Sequence, residues 1–280
     1  MNQVESKGIT LFQDPAWQSG YPTVLHGFFT RRGGTGPAPL ESLHVALSSR
    51  DSLGARQENL RRAAAVFGIR ERQIACLRQV HGADVVRIPS GRNPGPSGEP
   101  PRGDAQITDR PGTCLAILTA DCLPVLLLDP DRPAVGAVHA GWRGTLQSIC
   151  SHVVSEMRKA FSTRAARLRA LLGPCIGACC YEVGEDVAHG FLGAFPEAVG
   201  CVRASGPNRW KVDLSELNRW QLLEAGLLPE HIGTSTLCTR CRPDLFFSFR
   251  GQGEAAGRQI SLVGLGPASR GLKTVPVPSE

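Results

Sequence analysis

Residues 114–145 read CLAILTADCLPVLLLDPDRPAVGAVHAGWRGT, and the fold is decided by how this stretch is parsed. CLAILTADCLPVLLL is the longest apolar run in the chain. Asp121 breaks it, and it falls short of the ~18 apolar residues that a membrane span needs. CLAILTADCLPVLLLD is instead predicted to be a buried strand interrupted at Thr119–Pro124. AVGAVHAGWRGT is a strand leading into a glycine turn, and 145–160 reads as a helix starting near Thr145.

The same rhythm extends in both directions. Upstream, residues 8–30 are strand-rich (ITLF, then TVLHGFFT) and end in the turn signal RRGGTG. Asp51 to Gly68 has helical spacing, with Leu53, Leu60, Ala64 and Phe67 on one face and a glycine stop. The runs QIACLRQV and ADVVRI predict a strand pair around His81. Residues 89–103, PSGRNPGPSGEPPRG, hold too much Pro and Gly for a regular element.

Downstream come a strand (ALLGPCIG), a helix (VGEDVAHGFLGAF), a strand (RWKVD) and a helix (SELNRWQLLEAG). Three strand candidates close the chain: STLCT, LFFSFR and RQISLVGL. Interleaving without a composition break predicts an α/β (α+β) fold with mixed sheets, as one domain over 1–266 with a flexible tail at 267–280.

Composition narrows the function. Of 280 residues, 41% are hydrophobic and 20% charged, which excludes a disordered chain. The net charge is +6, carried mostly by arginine. The densest basic stretch, Arg158 to Arg169, has no interleaved aromatic residues, so it reads as a solvated helix face rather than a nucleic-acid site. With no signal peptide and no membrane span in view, a cytoplasmic protein is expected, with its ten cysteines reduced.

Three segments place reactive groups beside glycine or proline at strand ends: RQVHG with His81, TADCLP with Cys122, and VHAGWRG with His139. Two imidazoles and a thiolate suit zinc, and their long spacings require convergence from separate strands. Such a set leaves one coordination position for water or substrate, the pattern of a catalytic site. The same three residues also suit a metal-free hydrolase with Cys122 as nucleophile and a histidine as base. Asp121 and Asp104 are candidates to hold an imidazole in its correct tautomer or to carry a proton. Cys175, Cys179, Cys180, Cys238 and Cys241 raise a second zinc reading. Adjacent Cys179 and Cys180 would be a poor chelating pair, however, so redox-sensitive or plain buried thiols are expected there.

The segments TRRGG (30–34), RQVHGADVV (78–86), GDAQIT (103–108), LTADCLPVLLLD (118–129), VGAVHAGWRGT (135–145), LGPCIGACCYEVGEDV (172–187) and LFFSFR (245–250) resemble the laccase-domain family. Its members have been called polyphenol oxidases, purine nucleoside phosphorylases and, for the bacterial type, peptidoglycan editing factors. The resemblance implies a layered α/β/β/α architecture and a metal site at His81, Cys122 and His139, holding zinc or alternatively copper. It also implies phosphorolysis of adenosine, inosine, guanosine and 5′-methylthioadenosine, with adenosine deamination as a second activity.

On that reading Cys122, His139 and Asp121 are the catalytic set, and Arg31, Arg143 and Arg250 bind phosphate by forked hydrogen bonds. The partners are purine nucleosides and inorganic phosphate, with neither nucleic acid nor membrane, and the protein is a monomer or homodimer. Hydrolysis of cell-wall precursors and copper-dependent polyphenol oxidation are the alternatives. The last is disfavoured by seven histidines with no His-x-His pair, and by methionines only at Met1 and Met157. One departure from the family stands at Ser42-Leu43-His44-Val45, where members usually carry an asparagine at the third position.

Overall fold

A computed structural model describes residues 1–36, 42–46, 53–89 and 99–266. A hairpin of β1 (Asn2–Ser6) and β2 (Ile9–Gln13) leads through the short helix α1 (Pro15–Gly20) to β3 (Val24–Phe29). The Asp14 carboxylate caps α1 by accepting from the Trp17 amide at 3.0 Å. Helix α2 (Leu53–Val66) follows, then β4 (Ile74–Ala75), β5 (Val85–Arg87) and β6 (Ala105–Thr108). The apolar stretch yields β7 (Cys114–Thr119), β8 (Leu123–Asp129) and β9 (Ala134–Ala140), then helices α3 (Trp142–Leu146) and α4 (Ile149–Phe161). The second half carries β10 (Arg169–Leu172), β11 (Glu182–Gly184), α5 (Glu185–Ala194), β12 (Val202–Gly206) and β13 (Arg209–Val212). It closes with α6 (Leu214–Glu224), β14 (Ile232–Thr234), α7 (Phe249–Gln252) and β15 (Gln259–Leu265).

Two six-stranded mixed sheets result, ordered β1-β2-β3-β15-β7-β4 and β14-β10-β8-β9-β6-β5, with a smaller sheet β11-β13-β12 beside them. Side-chain alternation sets the layers. On β8, Leu126 and Leu128 meet Phe28, Leu115, Ile117 and Val263 of the other sheet, while Leu123, Val125 and Leu127 face Val153, Val154 and Met157 of α4. The outer face of the first sheet packs Ala116 and Leu262 against Ala63 and Ala64 of α2. Helix, sheet, sheet, helix is therefore the order through the molecule. Coverage on both faces explains why β7, β8 and β9 read as continuous apolar runs.

Several expectations are corrected. The 114–129 run is not one interrupted strand. Residues 120–122 carry the chain from the first sheet to the second, with Asp121 at φ +85°. The runs flanking His81 are not a pair either, since β4 joins β7 in one sheet and β5 joins β6 in the other. The helix expected near Thr145 begins at Trp142 and is interrupted at Ser148, which adopts φ +57°. STLCT is irregular apart from one bridge at Cys238, and LFFSFR is not a strand. Phe246 and Phe247 fill the core from an irregular segment, and Ser248 then caps α7 by accepting from the Gly251 amide. Residues 90–98 of the Pro/Gly insertion and the expected tail at 267–280 lie outside the described residues.

The basic stretch is engaged locally. Arg164 and Arg167 both pair with Asp131, and Lys159 pairs with Glu156. Among the described residues, no helix is long and apolar enough to cross a membrane.

Candidate metal centre

His81, Cys122 and His139 meet where the two sheets open at one end, and their ligating atoms lie within 4.8 Å of one another. Each arrives by a different route. Cys122 follows the crossing from β7 to β8, and His139 is the penultimate residue of β9, paired in register with Pro124. His81 sits in the loop between the sheets with φ +60°, a left-handed conformation that non-glycine residues adopt at a cost of ~1–3 kcal/mol. His139 is buried, Cys122 half-buried and His81 exposed, so the group opens to solvent on one side. The imidazole rings meet edge to face at 4.8 Å between centroids.

One fully buried carboxylate, Asp104, organises the group. Its Oδ1 accepts from the His81 amide at 2.9 Å and pairs with His139 Nδ1 at 2.8 Å. Its Oδ2 accepts from the Gly82 amide at 2.7 Å and the Val80 amide at 3.2 Å. Asp104 thus fixes the strained loop and assigns the proton of His139 to Nδ1, leaving Nε2 with its lone pair for a metal. Burial pushes the Asp104 carboxyl up, but His139 and the backbone amides outweigh it and hold the pKa below the ordinary value.

The same opposition operates between Cys122 and His139. Burial raises the Cys122 thiol, yet His139 and His81 bring it down to about 6. Burial disfavours the His139 imidazolium, yet Cys122 and Asp104 raise it to about 9. Without metal the pair is a thiolate beside an imidazolium.

Gly141 forms the wall behind the three side chains. A Cβ there would lie 3.1 Å from Cys122 Sγ and 3.3 Å from His81 Cδ2, so only hydrogen leaves the ligands their positions. Gln79 pins the loop before His81 by donating to Leu118 O and accepting from Leu118 N, both at 2.8 Å.

The group opens into a cleft of about 600 Å³. Of the three expected arginines, Arg143 and Arg250 line it, but Arg31 does not. Arg31 Nη1 donates to Pro243 O, and its guanidinium lies 4.5 Å from the Phe247 ring centroid. Arg258, which the sequence reading missed, takes a place in the lining, with Nη1 held by Ala256 O and Gly257 O. Arg143 stacks on Trp142, while Arg250 donates to Glu182 O and lies over the Tyr181 ring. Phe249 is 44% exposed in the cleft, whereas Phe246 and Phe247 of the same segment are buried.

Asp121 lines the cleft beside Cys122, but its oxygens serve the neighbouring loops. Oδ1 accepts from Thr239 Oγ1 and Oδ2 from the Arg250 amide, both at 2.6 Å. His44 is buried behind the cleft, where its Nδ1 accepts from the Arg258 amide at 2.8 Å.

The multi-copper polyphenol oxidoreductase laccase family model matches residues 25–266. The chain belongs to this family. A purine nucleoside phosphorylase of Geobacillus stearothermophilus, YlmD, is 35% identical over 246 residues, covering 86% of this chain and 90% of that protein. A purine nucleoside phosphorylase of Deinococcus radiodurans is 37% identical over 243 residues, covering 86% and 89%. The crystal structure of the Geobacillus YlmD superimposes with a TM-score of 0.87 over 94% of this chain and 98% of that one, at 32% identity. Among the described residues, groups of three or more side chains able to hold a metal occur in two places, His81/Cys122/His139 and Cys179/Cys180/Cys238/Cys241.

Proposed function

We propose that this protein is a zinc-dependent purine nucleoside phosphorylase. It would cleave adenosine, inosine, guanosine and 5′-methylthioadenosine with inorganic phosphate and, as a second activity, deaminate adenosine. The observation that carries the reading is the three-sided His81/Cys122/His139 group opening into a cleft that also presents arginines and an exposed aromatic ring. The names of the relatives support the same class of reaction.

The donor set fits zinc: one sulfur, two ring nitrogens and a carboxylate behind one imidazole are the usual components of an open site. Zinc held there would supply a Lewis acid that draws a phosphate oxygen, or a water, into place beside the substrate.

The chain's own residues account for the rest. In phosphorolysis the C1′–N9 bond breaks, a phosphate oxygen bonds to C1′, and purine and ribose 1-phosphate leave. Arg143 and Arg250, joined by Arg258, surround the phosphate with charge and offer forked donors to its oxygens. Glu182 O and the Tyr181 ring hold the Arg250 guanidinium, so little reorganisation is needed when phosphate arrives. Phe249 provides flat apolar surface for a purine. Asp104 keeps His139 protonated on Nδ1 throughout, and Asp121 positions Arg250 through its backbone amide.

In deamination, water adds at C6 of adenine and ammonia leaves, giving inosine. A monomer or homodimer in the cytoplasm is the setting proposed for both reactions.

The metal-free alternative draws on the Cys122 thiolate and His139 imidazolium, a pairing also found in cysteine nucleophiles. Phosphate dependence separates the two. A phosphorylase releases adenine from adenosine only with phosphate and forms ribose 1-phosphate in equal amount. Adenine release that proceeds equally without phosphate would overturn the proposal.

A further inference from the structure

A second cluster lies in the segments that hydrogen-bond Asp121. Cys179 and Cys180 come from the turn after β10, and Cys238 and Cys241 from the segment after β14. All four sulfurs lie within 4.8 Å of one another. Adjacent cysteines, a poor chelating pair on sequence grounds, are here turned toward a common point. Tetrahedral zinc with Zn–S near 2.3 Å requires sulfurs about 3.8 Å apart. Cys179 Sγ lies 3.7 Å and Cys180 Sγ 3.4 Å from Cys241 Sγ, so the spacing is already that of a coordination shell.

One of the sulfurs is already bonded by the backbone. The Gly177 amide donates to Cys238 Sγ at 3.3 Å, as amides do to metal-bound sulfur, and Lys211 brings its ammonium to Cys179 O at 3.0 Å. A Cβ at Gly177 would approach Cys179 Sγ to 3.3 Å, so this glycine gives the turn room to present both of its sulfurs. The two segments are also joined by backbone, with the Thr239 amide donating to Cys175 O at 2.9 Å.

We propose that Cys179, Cys180, Cys238 and Cys241 form a second zinc site, distinct from His81/Cys122/His139. Four protein sulfurs close the coordination shell, so the site is structural rather than catalytic. It clamps the two segments that support one wall of the cleft. Thr239, between two of the ligands, donates to Asp121, and the Ile176 amide donates to Asp121 O at 2.9 Å. The clamp thereby reaches the residue next to Cys122.

The test is metal analysis of the full chain purified without added metal, as wild type, C122S and C241S. About two equivalents of zinc are expected in wild type and about one in each variant. Cobalt-substituted C122S should keep the intense thiolate-to-cobalt absorption of a sulfur-rich tetrahedral site, and C241S should lose most of it. C122S leaves all four cluster cysteines in place, so it decides the matter even if C241S does not fold. C122S with no bound metal, or with iron in place of zinc, would overturn the proposal. A thiol count in denaturant with chelator gives an independent check. All ten cysteines should react, and a count lower by two would show a disulfide in the cluster and overturn the zinc assignment. The outcome does not depend on phosphorylase activity. Zinc in C122S with no phosphorolysis by wild type would refute the catalytic reading and leave the second site standing.

Discussion

Replacing Asp104 by asparagine tests how the metal centre is held. In the native chain four hydrogen bonds converge on this buried carboxylate, two on each oxygen. An amide presents one oxygen and one NH2, so the NH2 faces two backbone donors on the Val80 and Gly82 side, or the His81 amide on the His139 side. Hydrogen bonds to a charged group contribute about 1.5–3 kcal/mol each, so losing one or two costs about 1.5–6 kcal/mol, offset in part by removing a buried charge. With the NH2 toward His139, the amide also favours the tautomer that carries its proton on Nε2, which blocks the nitrogen meant for the metal. D104N should therefore unfold on the order of 10 °C below wild type. Losing a partner behind a metal ligand costs about 10–100-fold in affinity, and zinc binding should weaken to that extent. Thermal unfolding with and without zinc, and competition against a chromogenic chelator, measure the two effects. A D104N protein with wild-type melting temperature and zinc affinity would refute this role for Asp104.

Other consequences follow from the same geometry. Gly141→Ala should leave the fold intact but push Cys122 and His81 apart, lowering zinc affinity and activity together. Chelator competition and adenine release read both. Arg143→Ala and Arg250→Ala should raise the KM for phosphate by about tenfold or more, whereas Arg31→Ala, outside the cleft lining, should not; initial rates at varied phosphate show this. In metal-stripped protein the Cys122 thiol, lowered from 9.0 to about 6, should react with iodoacetamide with a midpoint near pH 6. The sign for stability follows from both partners. The thiolate's contribution is present above 9.0 and is lost as pH falls through about 6. The imidazolium's contribution is present below 6.5 and is lost as pH rises through about 9. The ion pair thus spans about pH 6 to 9, and since one contribution grows as the other shrinks, the pair should leave the melting temperature of the stripped protein nearly flat between about pH 6.5 and 9.

Much of the site was legible because chemistry and strand ends coincide in the sequence. His81, Cys122 and His139 each sit beside Gly or Pro after an apolar run, and the fold brings exactly those ends together. What escaped was long-range pairing. TADC reads as a break in one strand, but nothing local shows that the chain changes sheets there. The runs around His81 look like a hairpin, although β4 and β5 take their registers from β7 and β6 in different sheets.

Asp104 was visible as a motif residue, but its fourfold role depends on contacts to residues 22 to 35 positions away. Arg258 carried no signal, because its place comes from the approach to β15 and from His44 bonding its amide. LFFSFR has strand composition, yet its rings go to different places: two into the core and Phe249 into the cleft. In the sequence, the adjacency of Cys179 and Cys180 argues against a chelating cluster. A turn that brings both sulfurs close to Cys241 cannot be read from spacing alone.

The most direct measurement is the yield of adenine and ribose 1-phosphate from adenosine, with phosphate present or absent, before and after zinc is stripped from the protein. Phosphorolysis at the His81/Cys122/His139 centre predicts equal amounts of both products, only with phosphate, lost on stripping and restored by zinc. Full activity in stripped protein, or adenine without ribose 1-phosphate, would contradict it.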